Sequence, residues 1–265
     1  VDIADLLTLA NANTTYLDNR TRAYVIGTLG ELYEYTQQWS ESEQLTQQAL
    51  TLSQRLNADD ITYRWQWQLA RLRKQQGDRA GAIAAYDEAI ATLQMLRTDV
   101  VSVDNPDAWL SFRESIEPVH REFVDLLLDP SVNPSEAELE KARQVIESLQ
   151  LAELDNYFKE ACLEGNPVDV DNIDPTAAVI YPIVLSDRIE IILNAPGQPL
   201  TRRTVSVAQS TVEQTIDEMR FRLIQDVAGI RIRRLGQDFY NWLIQPIAAD
   251  LEASPTETLV FVLEG

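Results

Sequence analysis

Residues 69–89 read LARLRKQQGDRAGAIAAYDEA, and this stretch decides the fold of the first half of the chain. Small residues stand at Ala70, Ala82 and Ala89, where two antiparallel helices must press their backbones together. A large ring such as that of Tyr86 fills the wider gap beside them. The stretch therefore predicts a pair of packed antiparallel helices.

The same pattern occurs 40 residues earlier. Leu29-Gly30 takes the place of Leu69-Ala70, and Ala49 takes the place of Ala89. The pattern resembles the tetratricopeptide repeat, whose usual period is about 34 residues. The additional residues would lie in longer helices or in the connection at Leu56 to Asp60. Two positions depart from the repeat, because Arg73 replaces Tyr33 and Ser42 replaces Ala82.

Two longer helices follow the repeats. One is predicted from Pro106 to Leu128, with Asn105 as its N-cap and Pro118 as a kink inside it. The next is predicted from Pro134 to about Cys162, with an apolar face at helical spacing. Both would bridge the repeats to a later domain.

The composition then changes from helical to strand-forming residues. A hairpin is predicted from strands at Ala177 to Leu185 and Ile189 to Leu193, and a third strand near Thr201 to Val207. Ser210 and Glu213 form a capping-box pattern at the start of a helix. Another helix is expected over about Ile232 to Ala253, followed by a buried strand at Thr258 to Leu263.

Several of these segments resemble CHAT domains, the caspase-like domains that accompany tetratricopeptide repeats and are common in cyanobacteria. Residues 142–158, ARQVIESLQLAELDNYF, resemble the helix that leads into such domains, and residues 134–265 are the most specific part of the resemblance. The other similar segments are Tyr181-Pro182, Arg188-Ile189-Glu190, residues 238–246 (DFYNWLIQP) and residues 259–265 (LVFVLEG).

The resemblance implies a mostly α fold with an α/β C-terminal part. Tetratricopeptide-like repeats would occupy residues 1–98, bridging helices 99–165, and the incomplete front of a caspase-like domain 166–265. The family's activity is that of a cysteine endopeptidase, in which a Cys thiolate attacks the scissile carbonyl and a His assists proton transfer. No segment of this chain matches the motif of either residue. The remainder of the caspase-like domain is therefore an expected partner, and this chain is expected to supply no catalytic residue.

His120 and Cys162 are the single histidine and the single cysteine of the chain. Neither follows a predicted core strand, as the family's catalytic residues do. We interpret them as a histidine on a helix surface and a packed thiol. They also provide too few ligands for a zinc site built from thiolates and imidazoles, so no metal or other cofactor is expected.

The charge balance excludes other classes of function. Acidic residues outnumber basic ones by 42 to 22, which gives a net charge of −20. This charge opposes binding to nucleic acid or to an anionic membrane and favours basic partners. A single cysteine suggests a reducing compartment, and no export signal is visible at Val1, so a cytoplasmic location is expected.

The inner face of the repeats is the predicted site for a protein or peptide partner. By the repeat register, this face carries Tyr24, Glu31, Tyr35, Arg64, Trp67, Arg71 and Lys74. Three cations and a tryptophan on one helix suit an acidic or aromatic peptide. The alternative is that these residues contact the following domain or solvent. Two functions stay open: the recruiting and regulatory part of a caspase-like peptidase, or a non-catalytic peptide-binding scaffold.

Overall fold

The computed structural model describes residues 18–100, 106–158, 174–225 and 229–263. This part of the chain is mostly helical, with a small mixed four-stranded sheet toward its C-terminal end, as the sequence predicts. It forms two compact units, of which the first ends at Leu126 and the second begins at Leu127. The predicted N-cap Asn105 and the predicted packing of Cys162 fall outside the described residues.

The described part of the first unit contains five helices: α1 (Asn19–Tyr35), α2 (Trp39–Arg55), α3 (Asp59–Gln75), α4 (Arg79–Val100) and α5 (Pro106–Leu127). α1, α2 and α3 each have 17 residues. The starts of α1 and α3, at residues 19 and 59, are 40 residues apart, as are those of α2 and α4, at 39 and 79. The connection after α2 is as short as its neighbours, so the longer period resides in the helices.

The three turns that join α1 to α4 share one backbone conformation. Their middle residues, Gln37, Asn57 and Gly77, have φ angles of 61°, 49° and 79°. In each turn the next N–H donates to a carbonyl five residues earlier, as in Gln38 to Tyr33 at 2.9 Å. This is the Schellman closure, which satisfies carbonyls at the end of a helix and requires a left-handed residue.

The departures from the repeat pattern have local explanations. Ser42 is buried where the second repeat has Ala82, and its hydroxyl donates to the carbonyl of Gly30 at 2.7 Å. Arg73, in the place of Tyr33, donates to the carbonyl of Gly81 at 3.1 Å. Both polar residues are tolerated because each bonds a backbone oxygen across its helix pair.

α5 remains one helix through Pro118. From Ile116 onward its predicted apolar stripe is buried, including Val119 and Phe123. The prediction that His120 lies on the helix surface is wrong, because this residue is buried as well.

The second unit contains α6 (Glu136–Phe158), β1 (Ala177–Val184), β2 (Ile189–Asn194), β3 (Thr201–Val205), α7 (Gln209–Ile224), α8 (Ile230–Phe239), α9 (Ala248–Glu252) and β4 (Thr258–Phe261). The sheet order is β3-β2-β1-β4. β1, β2 and β3 are antiparallel neighbours, which confirms the predicted hairpin, and β4 runs parallel to β1.

Helices cover both faces of this sheet. On one face, Ile180 and Ile191 form a core with Val212 of α7 and with Ile247, which precedes α9. On the other face, the hydroxyl of Tyr181 donates to Glu147 of α6 at 2.8 Å. None of the helices in the described ranges has the length and apolar character needed to cross a membrane.

The caps at the helix starts of the second unit differ from those predicted from the sequence. The predicted capping box at Ser210 and Glu213 is wrong, because the N-cap of α7 is Ala208 and makes no side-chain bond. The N–H of Gln209 donates instead to the carbonyl of Ser186 at 3.1 Å. A reciprocal capping box forms at α6, where the N–H of Ser135 donates to Glu138 at 2.8 Å and the N–H of Glu138 donates to the Ser135 hydroxyl at 3.3 Å.

The last predicted helix and strand also differ. The helix expected over 232–253 is divided into α8, a π-helical turn at Tyr240–Ile244, a 3₁₀ turn at Gln245–Ile247 and α9. Pro246 lies in the interrupted part and has no N–H to continue the α-helical bonds. β4 is not a buried strand, because it lies at an edge of the sheet and both Leu259 and Phe261 are exposed.

Candidate functional site

Ion pairs connect α1, α3 and α5. Arg71 of α3 donates from Nε and Nη2 to the two carboxylate oxygens of Glu34 on α1, at 2.7 and 2.8 Å. Lys74 of α3 contacts Asp125 of α5 at 2.9 Å. α3 thus carries cations that are neutralised by an acidic residue on each side.

The charges of these three helices alternate in sign. α1 carries Glu31 and Glu34, α3 carries Arg71 and Lys74, and α5 carries Glu122 and Asp125, each pair three residues apart. Residues three apart in a helix project from the same side. The alternation therefore places an acidic partner on each side of α3, and both Arg71 and Lys74 are paired.

Trp67 is held in the same network. The guanidinium carbon of Arg71 lies 4.5 Å from the centre of its ring. Its Nε1 donates to Glu122 at 2.7 Å, and the hydroxyl of Tyr86 donates to the same carboxylate oxygen at 2.9 Å. Burial and the nearby Glu122 carboxylate raise the pKa of Tyr86 well above its usual value.

The predicted binding residues are therefore divided into two groups. The first group contacts other helices of the first unit: Trp67 and Lys74 contact α5, and Arg71 contacts α1. Their role in peptide binding stays a prediction, and their charges are already paired. Arg64 is half-buried and lies 5.9 Å from the ring centre of Tyr63.

Tyr24, Glu31 and Tyr35 form the exposed group, which we call the α1 stripe. The tyrosines are 44% and 85% exposed, and Glu31 is exposed between them. Their separations of seven and eleven residues place all three on one side of a helix. The stripe offers two aromatic rings and a carboxylate to solvent.

A glycine in the sequence of α1 explains how this helix can lie close to α3. The indole of Trp65 lies against Gly27, where a Cβ atom would be only 2.4 Å from the ring. Tyr24 meets the same indole edge-on, with the ring centres 6.0 Å apart. This contact was not predicted from the sequence, where the glycine inside a predicted helix was its only signal.

His120 has no access to a substrate. It is buried in α5, and its Nδ1 lies 2.8 Å from the carbonyl oxygen of Ile116. Because a carbonyl can only accept, Nδ1 carries a proton. Burial lowers the pKa of this histidine to about 4, so the imidazole is neutral at pH 7.

Comparisons with models of protein families, with curated proteins and with solved structures found no match. Across the described ranges, no three His, Cys, Asp or Glu side chains are arranged to hold a metal ion. The α1 stripe therefore stands on its geometry as the candidate binding surface.

Proposed function

We propose that this chain is the recruiting and regulatory portion of a caspase-like cysteine endopeptidase, and that it takes up a protein or peptide on the α1 stripe. The proposal rests on a contrast between α1 and α3, the two inner helices of the repeat array. α3 uses Arg71, Lys74 and Trp67 within the fold, whereas Tyr24, Glu31 and Tyr35 of α1 face solvent. The resemblance of residues 142–158 to CHAT domains supports the enzymatic context.

The α1 stripe favours a basic ligand. The acidic or aromatic peptide expected from the sequence depended on three cations, of which Arg71 and Lys74 are paired with carboxylates. Glu31 would instead accept from a Lys or Arg side chain, and the rings of Tyr24 and Tyr35 can hold a cation over their faces. The net charge of −20 would also steer a basic ligand toward the chain.

The proposal includes a second partner, the remainder of the caspase-like domain. β4 is apolar at Leu259, Val260 and Phe261, and parallel strands are normally covered on both faces. Its exposure supports pairing with further strands of that domain. The single cysteine supports a cytoplasmic location for the protein.

The alternative function is a non-catalytic adaptor that binds peptides through the same stripe. Burial of His120 favours this alternative for the chain by itself, because the histidine cannot assist a nucleophile. The two functions differ in whether the full-length natural protein carries a reactive cysteine.

Fluorescence anisotropy with labelled peptides tests the binding surface. The probes are an Arg- and Leu-containing peptide and its counterpart with Glu in place of Arg. We expect the basic probe to bind more tightly, and Glu31→Lys to weaken that binding at least about tenfold. Glu88→Lys, the same charge reversal at an exposed position of α4, should have no such effect. Equal binding of the two probes, or no effect of Glu31→Lys, would overturn the proposal.

A further inference from the structure

α7 carries an apolar stripe that is covered at only one end. Val212, Ile216, Met219 and Leu223 recur at the spacing of one helix face. Val212 is 4% exposed and belongs to the core beneath the sheet, but Ile216 is 47% and Leu223 62% exposed. A stripe of this kind is normally buried along its whole length.

More apolar surface lies beside the uncovered end of the stripe. Phe221 and Ile224 of α7 are exposed, as is Ile230 at the start of α8, at 87%. We call Ile216, Phe221, Leu223, Ile224 and Ile230 the α7–α8 patch. Contiguous apolar surface of this kind marks an interaction site more often than scattered single residues do.

Basic residues surround the patch in a chain that is otherwise acidic. Five arginines lie between positions 220 and 234, out of 22 basic residues in the whole chain. Glu218 pairs with two of them, Arg222 and Arg231, each at 2.8 Å. In the described part of the chain, Arg220, Arg233 and Arg234 have no carboxylate partner.

The aliphatic side chains restrict the kind of ligand. Nucleic acid could meet the arginines but offers little apolar surface to Leu223, Ile224 or Ile230, and its single strands are held mainly by aromatic stacking. A helix that binds a membrane surface is rich in Lys and Arg along its whole polar face, whereas α7 also carries Glu213, Asp217 and Glu218. A polypeptide with both leucine-like and acidic side chains satisfies both parts of the surface.

We infer that the α7–α8 patch binds an acidic amphipathic segment of a partner protein. The apolar face of the segment covers Ile216, Leu223 and Ile224 and extends the core that begins at Val212. Its carboxylates pair with Arg220, Arg233 and Arg234. This surface lies in the second unit, and its binding is independent of the α1 stripe.

A labelled amphipathic peptide built of Leu and Glu at helical spacing is the direct probe. We expect saturable binding that weakens with salt, and binding at least about tenfold weaker when Lys replaces Glu or Ser replaces Leu. The paired substitutions Leu223→Ser with Ile224→Ser, and Arg233→Glu with Arg234→Glu, should each reduce affinity at least about tenfold.

Matched controls are Val132→Ser, an exposed apolar position elsewhere, and Arg55→Glu on α2, neither of which should alter binding. Glu31→Lys should also leave it unchanged, which separates this result from that of the α1 stripe. Equal binding of the Leu/Glu and Ser/Glu peptides would overturn the inference. Preferential binding to phosphatidylserine vesicles or single-stranded RNA would do the same, as would self-association that the paired substitutions abolish.

Discussion

Arg71 and Glu34 join two inner helices of the repeat array by a bidentate ion pair, with contacts of 2.7 and 2.8 Å. Both side chains are mostly buried, so removal of one leaves the other without its partner. Arg71→Ala should therefore lower the free energy of unfolding by about 2 kcal/mol. Urea denaturation followed by circular dichroism measures this change.

Arg71→Lys and Arg64→Ala provide the controls for that measurement. Lysine keeps the charge but loses the planar fork and its contact with the Trp67 ring, so an intermediate loss is expected. Among the described residues, Arg64 has only a distant ring contact, and its removal should change stability by less than about 0.5 kcal/mol. Equal effects of Arg71→Ala and Arg64→Ala would show that the ion pair does not hold the array together.

Gly27 should tolerate no side chain. An added Cβ would lie 2.4 Å from the Trp65 indole, so Gly27→Ala should destabilise by about 2 kcal/mol despite the better helix propensity of alanine. Gly236→Ala in α8 is the matched control, because a Cβ there meets no atom within 4 Å, and it should stabilise slightly. Thermal unfolding of both variants, and of Gly27→Ala combined with Trp65→Leu, measures the coupling. A loss that persists in the Trp65→Leu background would exclude the indole as its cause.

Substitutions at two of the left-handed turn residues should change the stability of the fold in opposite directions. Gln37 has a φ of 61°, which costs an ordinary residue about 1 kcal/mol, so Gln37→Gly should stabilise the fold by up to that amount. Gly77, at 79°, already avoids this cost, and Gly77→Ala should destabilise by about 1 kcal/mol. The midpoints of urea unfolding report both changes. A shift of the same sign in the two variants would contradict the shared turn conformation.

His120 should make stability depend on pH. Its pKa is lowered by burial to about 4, below the value of about 6.5 expected in the unfolded chain. Above pH 6.5 both states are neutral at this residue, and as pH falls only the unfolded state gains the proton. The free energy of unfolding should therefore decrease by roughly 2 kcal/mol between pH 6.5 and pH 5.

His120→Asn is the control for this dependence, because its amide does not titrate but can still donate to the carbonyl of Ile116. Unfolding curves at the two pH values should show a smaller decrease for the variant than for the natural chain. An identical decrease in both proteins would assign the effect to other groups.

The repeats were predictable because their signal is local and periodic. Alanines and glycines spaced by 40 residues mark the close approach of two helices, and the antiparallel pairing of β1 with β2 followed from the hairpin predicted at residues 177–193. The prediction missed the partners of Arg71 and Lys74, because contacts between residues 37 and 51 positions apart leave no trace in the pattern of either helix.

Other differences have similarly local causes. Ser135 and Ser210 both precede a glutamate by three residues, yet only Ser135 forms a capping box. At the second position the N–H of Gln209 bonds the carbonyl of Ser186, a residue distant in sequence, and the sequence pattern does not reveal this contact. His120 stands beside the predicted apolar stripe of α5, and only the packing of the folded chain determines that it is buried.

Labelling of the full-length natural protein with a thiol-reactive peptide probe tests the proposed function most directly. We expect an adduct on a cysteine other than Cys162, and slower cleavage of basic substrates after Glu31→Lys but not after Glu88→Lys. Absence of any adduct, or an adduct on Cys162 alone, would contradict the peptidase assignment and leave the non-catalytic adaptor as the function of this chain.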